Sequence, residues 1–430
     1  MRVYVEGFGC TQNLGEANAL RRSAEAGGHS LVADPSEADV GVLVTCGVIG
    51  ATEARMVRRW KELADRIPQM VVTGCLVPLR TGLLEGEGRA RTTFLPIREQ
   101  SRLPQLLEEL PYHDEGRSAP RRSASPPYDE GSPISEVPIA QGCTSHCTYC
   151  FSRLARGTLR SVPLSRVLAD VNGAVERGAR EVRLASLDTS CWGAERAGEA
   201  RLPELLHAVA ELPGEFMVRV GMMSPQSLLG ISPSYFAVLD HRRFFQFLHL
   251  PVQSGSDEVL GAMRRGYTVE EFRRCVEAGR SRLPELMLST DLIVGFPTES
   301  DADFAKSLRL VEELDPEVVN VTRFSPRPMT PAARLPPLRS RLVKERSRQL
   351  AALRMRTARR RLERWIGRTV PALPLERGPG GTTVARLPNY LPVVLPREQR
   401  LGEWGAVRVD GCRSTYLLGT PVTAELAPPL

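Results

Sequence analysis

Lysine is almost missing from this sequence: Lys61, Lys306 and Lys344 are the only lysines among 57 basic residues. With arginine so abundant, a basic position gains meaning only from the motif around it. Long apolar runs are missing too. No stretch reaches the roughly 18 residues of a membrane span, and Met1-Arg2-Val3-Tyr4-Val5-Glu6 lacks the basic-then-apolar layout of a signal peptide. A soluble cytoplasmic protein without membrane contact is expected. The formal charge of +7 over 430 residues is too small to mark a nucleic-acid binder by itself. Nine cysteines, an odd number in a long chain without a secretory pattern, argue against a disulfide framework and for metal or redox chemistry. No internal repeat is evident.

The chain is long enough for two or three domains. Over 1–111, short apolar runs alternate with amphipathic stretches, the pattern of a parallel sheet covered by helices. Residues 112–133 are rich in Pro, Ser, Gly and charge and read as a linker. Six candidate strands follow within 134–337, at 134–141, 181–187, 217–223, 245–253, 287–296 and 318–324. With helical stretches between them, they suggest a partial (β/α)6 barrel. Residues 338–364 form a basic connecting helix with eleven Lys or Arg, either a solvated face or an RNA contact. Short strands and Gly/Pro turns over 365–427 suggest a small β-barrel. The fold class is therefore α/β with a small C-terminal β-barrel.

Cys143, Cys147 and Cys150 give the spacing C-x3-C-x2-C directly after a predicted strand. Four thiolates saturate a 4Fe-4S cluster, whereas three leave one iron free for the amino and carboxylate groups of S-adenosylmethionine (SAM). An electron from such a cluster can cleave the bound sulfonium and release a carbon radical. A zinc ribbon would need paired C-x2-C arms, which this segment lacks. The carboxyl end of a first barrel strand is also where barrel enzymes build their sites.

Cys10, Cys46 and Cys75 are far apart in sequence, yet each follows a predicted strand. In an open parallel sheet such strand ends share one edge. Three thiolates there could hold a second cluster, and buried structural cysteines would fit the same pattern.

Gly9-Cys10-Thr11-Gln12-Asn13, Thr45-Cys46-Gly47-Val48 with Thr52-Glu53, and Thr73-Gly74-Cys75 resemble the N-terminal domain of the radical SAM methylthiotransferases. The likeness continues through Arg156-Gly157, Leu248-His249-Leu250-Pro251-Val252-Gln253-Ser254-Gly255-Ser256 and Asp291-Leu292-Ile293-Val294-Gly295-Phe296-Pro297. It ends in Arg386-Leu387-Pro388-Asn389-Tyr390 and Leu401-Gly402-Glu403, which resemble an RNA-binding TRAM barrel. The resemblance implies a Rossmann-like methylthiotransferase domain, a radical SAM barrel and a TRAM domain, with two 4Fe-4S clusters and SAM as cofactors. The cluster on Cys143, Cys147 and Cys150 would cleave SAM, and the one on Cys10, Cys46 and Cys75 would carry the sulfur to be inserted. Tyr149 resembles the aromatic that lies against adenine in such enzymes. Ser186, Asp188, Arg219 and Gln253 are candidate SAM contacts, although each could equally be a satisfied core group.

Family members act on isopentenyladenosine in tRNA, threonylcarbamoyladenosine in tRNA, or an aspartate of a ribosomal protein. Arg153-Leu154-Ala155-Arg156-Gly157 resembles the threonylcarbamoyladenosine enzymes, which carry Lys where Arg153 stands. A basic residue there suits the carboxylate of a threonylcarbamoyl group, which an isopentenyl chain lacks. Arg153 and Arg156 are thus expected substrate contacts. Ser186-Leu187-Asp188-Thr189 and the stretch from Arg323 to Ala333 are most similar to the archaeal and eukaryotic form. Thr298, Ser300 and Trp192 depart from the family pattern without removing a cluster ligand. The resemblance implies methylthiolation of the modified adenosine at position 37 of tRNA, with a tRNA anticodon stem-loop as partner. It also implies a low-potential electron donor of flavodoxin or ferredoxin type, a sulfur donor, and a monomer. The alternatives are the other two substrates, or an iron-sulfur RNA-binding protein without catalysis. Cys191 reads as a spare loop thiol, and Cys275 and Cys412 as packing residues.

Overall fold

The computed structural model describes residues 1–84, 91–111, 132–197 and 200–423. Most of the expected linker, 112–131, and the end of the C-terminal segment, 424–427, lie outside the described residues. The chain forms two units. The first comprises Met1–Ser132, Cys150–Thr158 and Arg327–Met329, and the second comprises Pro133–Tyr149, Leu159–Pro326 and Thr330–Leu430.

In the first unit, the strands Val40–Thr45 and Gln69–Gly74 are buried at every position, as parallel strands covered on both faces must be. They lie in a five-stranded parallel sheet ordered Ser30–Leu31, Arg2–Gly7, Val40–Thr45, Gln69–Gly74, Arg91–Phe94. Helix Gly50–Ala64 packs Met56, Trp60 and Leu63 on one face with Leu43, Met70 and Val72. Helix Thr11–Ala26 packs Ala17, Leu20 and Ala24 on the other with Val3, Val5 and Val42. The strand order 2-1-3-4-5 is that of a doubly wound sheet, whose ligand crevice opens at the carboxyl ends of the first and third strands.

All six expected barrel strands occur in the second unit, shortened at their ends. Ile134–Pro138, Glu181–Ala185 and Met217–Val220 pair in parallel, as do Phe247–His249, Met287–Val294 and Val318–Arg323. A parallel bridge between Val218 and Phe244 joins the two triplets into one arc in sequence order. Val182, Leu184, Val218 and Val220 point outward into the helix-covered core. Met217, Phe245, Phe247 and Met287 belong instead to a cluster completed by the C-terminal segment.

That segment closes a five-stranded barrel from Thr369–Arg377, Thr383–Arg386, Pro392–Leu395, Leu417–Val422 and Gly405–Cys412. Its turn 387–391 is fastened to the arc: Gln246 N donates to Pro388 O (2.9 Å), Asn389 Nδ2 to Glu285 O (3.1 Å), and the Tyr390 hydroxyl to Glu181 (2.6 Å). The basic connecting helix spans Ser340–Glu363 and buries Leu350, Leu353, Ala358 and Leu362. Among the described residues, no helix is long and apolar enough to cross a membrane.

Candidate active site

Cys10, Cys46 and Cys75 follow three neighbouring strands of the first unit at their carboxyl ends. Two glycines allow the approach. Gly74 has φ +94°, and a Cβ there would stand 2.4 Å from Thr45 O; without one, Cys75 N reaches that same carbonyl at 2.9 Å. Gly9 has φ +108°, and its Cβ would strike the Cβ and Sγ of Cys46 at 2.6 and 2.8 Å. Burial pushes the Cys46 thiol up, and the adjacent Cys10 adds to the effect. Burial likewise pushes Cys75 up to about 12, with Arg156 opposing and Cys10 and Cys46 reinforcing. The three sulfurs therefore form one electrostatic group. Buried thiols as reluctant to ionise as Cys46 and Cys75 become thiolates when a metal supplies the compensating charge.

Arg156 closes the group from within. Its side chain is 0% exposed and pairs with Glu16, and its Nη2 also donates to Asn13 Oδ1 at 2.6 Å. Asn13 Nδ2 in turn donates to Phe8 O (2.7 Å) and Thr45 O (3.0 Å), tying the ends of the first and third strands. Arg156 was expected to face substrate; the structure instead shuts it away beside the thiols, where Glu16 and Asn13 occupy its guanidinium. Arg153, on the same short helix Phe151–Arg156, is half-buried, and its Nε has no partner among the described residues. Cys150 caps that helix, its Sγ accepting from Arg153 N at 3.4 Å. Arg327 pairs with Glu53 at 2.5 Å and stacks on Phe151, 4.7 Å from the ring centre.

In the second unit, Cys143 and Cys147 stand in the loop after Ala140–Gln141. Burial pushes the Cys143 thiol up, and Asp188 and Cys147 contribute in the same direction. The guanidinium of Arg265 is the hub. It donates to Cys147 Sγ (3.1 Å) and the Tyr149 hydroxyl (3.2 Å) through Nη1, to the Tyr267 hydroxyl (3.0 Å) through Nε, and to Pro251 O (3.4 Å) through Nη2. Tyr149 packs against the cluster of Val259, Met263, Phe296 and Ala332. Nothing in the spacing singled out Arg265.

The four candidate SAM contacts separate. Asp188 is fully buried, and its carboxylate accepts from Ser190 N and Oγ, Ser224 N and the Ser227 hydroxyl, at 2.5 to 3.1 Å. It thus fastens two loops together close to Cys143. Ser186 Oγ accepts from Asp188 N at 3.4 Å. Gln253 is buried with φ +71°, a conformation uncommon outside glycine, and its backbone is clamped by Asp291 O and Ile293 N. Beside it, Asp291 accepts from His249 Nε2 (3.1 Å) and Asn320 Nδ2 (2.7 Å). Burial alone would raise the Asp291 carboxyl, but His249, Asn320 and Arg265 hold it below its usual value. His249 and Asp291 lie 42 residues apart, and no local sequence pattern shows that they pair. Arg219 diverges from the other three candidates, its guanidinium packing over Phe247 (4.9 Å) and Tyr390 (5.1 Å) where the C-terminal turn fills the arc.

Among the described residues, no three His, Cys, Asp or Glu side chains converge as ligands of a single metal ion. A 4Fe-4S cluster asks for something different, one thiolate on each of several irons. The grouped thiols of the first unit, and the Cys143 and Cys147 thiols with a cation on Cys147, fit that donor chemistry.

Comparison with known proteins gives three family matches: the Radical SAM superfamily over residues 137–311, the Uncharacterized protein family UPF0004 over 2–92, and the TRAM domain over 363–422. The chain is 36% identical to a Pyrococcus horikoshii protein named "Probable threonylcarbamoyladenosine tRNA methylthiotransferase", over 98% of this chain and 100% of that one. It is 30% identical to the human threonylcarbamoyladenosine tRNA methylthiotransferase, over 81% of this chain and 62% of that one. Among solved structures, the radical S-adenosylmethionine methyltransferase TsrM from Kitasatospora setae shares the fold with a TM-score of 0.56. It is 13% identical, over 77% of this chain and 76% of that one.

Proposed function

The chain belongs to the radical SAM methylthiotransferase family, and from that premise we propose that it converts N6-threonylcarbamoyladenosine at position 37 of tRNA to the 2-methylthio derivative. The observation that carries the reading is the grouping of Cys10, Cys46 and Cys75 at three adjacent strand ends. Radical chemistry alone needs only the C-x3-C-x2-C loop, and a second thiol set answers the need for a sulfur carrier.

Cys143, Cys147 and Cys150 would hold one 4Fe-4S cluster and Cys10, Cys46 and Cys75 the other. When bound, these clusters and SAM supply the radical and the sulfur. The chain's own residues hold and orient. Arg265 places a fixed cation on Cys147 and steadies Tyr149, which would lie against the adenine ring of SAM. Asp188 locks the loops next to Cys143, leaving Ser186 and Gln253 as the better candidates for direct SAM contact. Arg219, packed under Tyr390, is assigned to the joint between arc and barrel. Arg153 would pair with the threonylcarbamoyl carboxylate; its side chain is half-buried and, unlike that of Arg156, is held by no carboxylate among the described residues. Arg156 is assigned to the environment of the second cluster.

Residues 1–111 would act as the sulfur-carrying domain, 134–337 as the radical domain, and 338–364 with 365–427 as the RNA-holding part. Phosphate contacts fix register, and the target base is splayed into the active site. A cytoplasmic monomer served by a flavodoxin- or ferredoxin-type electron donor and a separate sulfur donor completes the proposal. Mass spectrometry of tRNA nucleosides from a deletion strain tests it. The 2-methylthio nucleoside should vanish while N6-threonylcarbamoyladenosine remains, and an unchanged profile would refute the assignment.

A further inference from the structure

Helix Ser340–Glu363 uses its basic residues in two ways. Toward its carboxyl end four of five are engaged: Arg354 donates to Val319 O, Arg359 pairs with Glu363, Arg360 with Asp315 and Arg361 with Glu317, while Arg356 stands exposed and lines no described cavity with them. Arg346, on the buried face, pairs with Glu299 and Asp301. Arg341, Lys344 and Arg348 differ. Spaced i, i+3 and i+7, they share one helix face, and with Arg323 and Ser347 they line an open cavity of about 550 Å³. All four cations are exposed, and none has a carboxylate or hydrogen-bond partner among the described residues. The nearest acid in sequence, Glu345, faces Gln349.

Four like charges around one cavity repel each other unless an anion joins them. Arg341 and Lys344 also lie in the first turns of the helix, where its dipole favours negative charge. Arg341 to Arg348 spans roughly 10 Å of helix axis, more than one phosphate group can bridge. Arg323 ends the last strand of the arc, Val318–Arg323, on the carboxyl face where barrel enzymes keep their sites. We propose that this cavity binds successive backbone phosphates of the RNA substrate, as a docking site additional to the C-terminal barrel. The inference rests on the tRNA reading and adds the place where the strand is held. Contacts of this kind set register without reading sequence.

The test is fluorescence anisotropy of the full, cluster-loaded chain with an RNA hairpin of anticodon-arm size, over a salt series. Combining Arg323→Ala, Arg341→Ala, Lys344→Ala and Arg348→Ala should weaken binding by about 100-fold or more. It should also flatten the plot of log affinity against log salt by roughly three units, at ~0.7–0.9 per lost contact. Arg359→Ala with Arg360→Ala, on the same helix, should change affinity less than about twofold, because these cations already have acidic partners. Lys344→Glu alone should weaken binding several-fold, and an unfolding midpoint matching wild type excludes misfolding as the cause. If wild type binds the hairpin and the quadruple variant binds equally with the same slope, the cavity proposal falls and the tRNA reading stands. If wild type does not bind RNA, both fall. Displacement of the hairpin by inorganic phosphate beyond the effect of chloride at equal ionic strength would identify a small-anion site instead, and would likewise overturn the proposal.

Discussion

Cys143 and Cys147 lie four residues apart in one loop, whereas Cys10, Cys46 and Cys75 come from the ends of three strands that parallel pairing sets side by side. The two regions also handle charge differently. In the loop, a cation lies directly on a sulfur, Arg265 on Cys147. At the strand ends, the cation is Arg156, withdrawn into a buried pair with Glu16 and felt by Cys75 and Cys46 through space. A cluster that must accept and pass an electron gains from hydrogen bonds to its sulfurs, which tune its potential. A site that must give up sulfur is better served by a rigid cradle whose own ligands stay in place. On the proposed assignment Gly9 and Gly74 would provide that cradle, because a side chain at either would push the strand ends apart.

The largest expected effect separates the two regions outright. Replacing Cys10, Cys46 and Cys75 together with Ala should halve the iron content of anaerobically reconstituted protein, from about eight atoms to about four. SAM cleavage to 5'-deoxyadenosine should persist and methylthio transfer should be lost. Full iron content or full transfer in this variant would break the comparison.

The loop is legible because its pattern is local: the spacing of Cys143, Cys147 and Cys150 after a strand suggests a three-thiolate donor set by itself. Cys10, Cys46 and Cys75 were legible only as cysteines after strands, because their meeting depends on a strand order that no local pattern encodes. The resemblance to a known family supplied what the spacing could not. Arg219 shows the same limit from the other side. Its place on a barrel strand was readable, but its side chain turns to Phe247 and Tyr390, and Tyr390 arrives from 171 residues further along the chain. Arg265 carried no motif at all; its role comes from Tyr267, Pro251 and Cys147 converging on one guanidinium.

Next in size, Arg156→Met should cost about 3–5 kcal/mol in chemical denaturation, because it strands Glu16 in the interior. Adding Glu16→Leu should recover part of that loss, and a double variant no more stable than the single one would mean that Arg156 acts through packing alone. For the loop, Arg265→Leu should slow SAM cleavage by about 10- to 100-fold, the usual cost of losing a group that supports a metal ligand. The electron-spin resonance spectrum of the reduced cluster should shift with it. An unaltered spectrum would remove Arg265 from the site.

The smallest effect concerns Cys191, a thiol near the loop to which the proposed assignment gives no ligand role. Cys191 Sγ donates to Asp188 O at 3.1 Å, and burial holds it protonated, with Asp188 and Cys143 acting in the same direction. Cys191→Ala should keep the full iron content and lose about 1 kcal/mol of stability. A loss of iron in this variant would blur the distinction between ligand and bystander thiols.

The most direct test of substrate and chemistry together offers reconstituted enzyme, SAM, a reductant and a sulfur source two tRNAs in parallel. One carries N6-threonylcarbamoyladenosine and the other N6-isopentenyladenosine. Mass spectrometry of the digested nucleosides should find a methylthio group on the first and none on the second. Modification of the isopentenyl tRNA alone, or of neither while SAM is still cleaved, would contradict the assignment of Arg153 and the substrate it is proposed to hold.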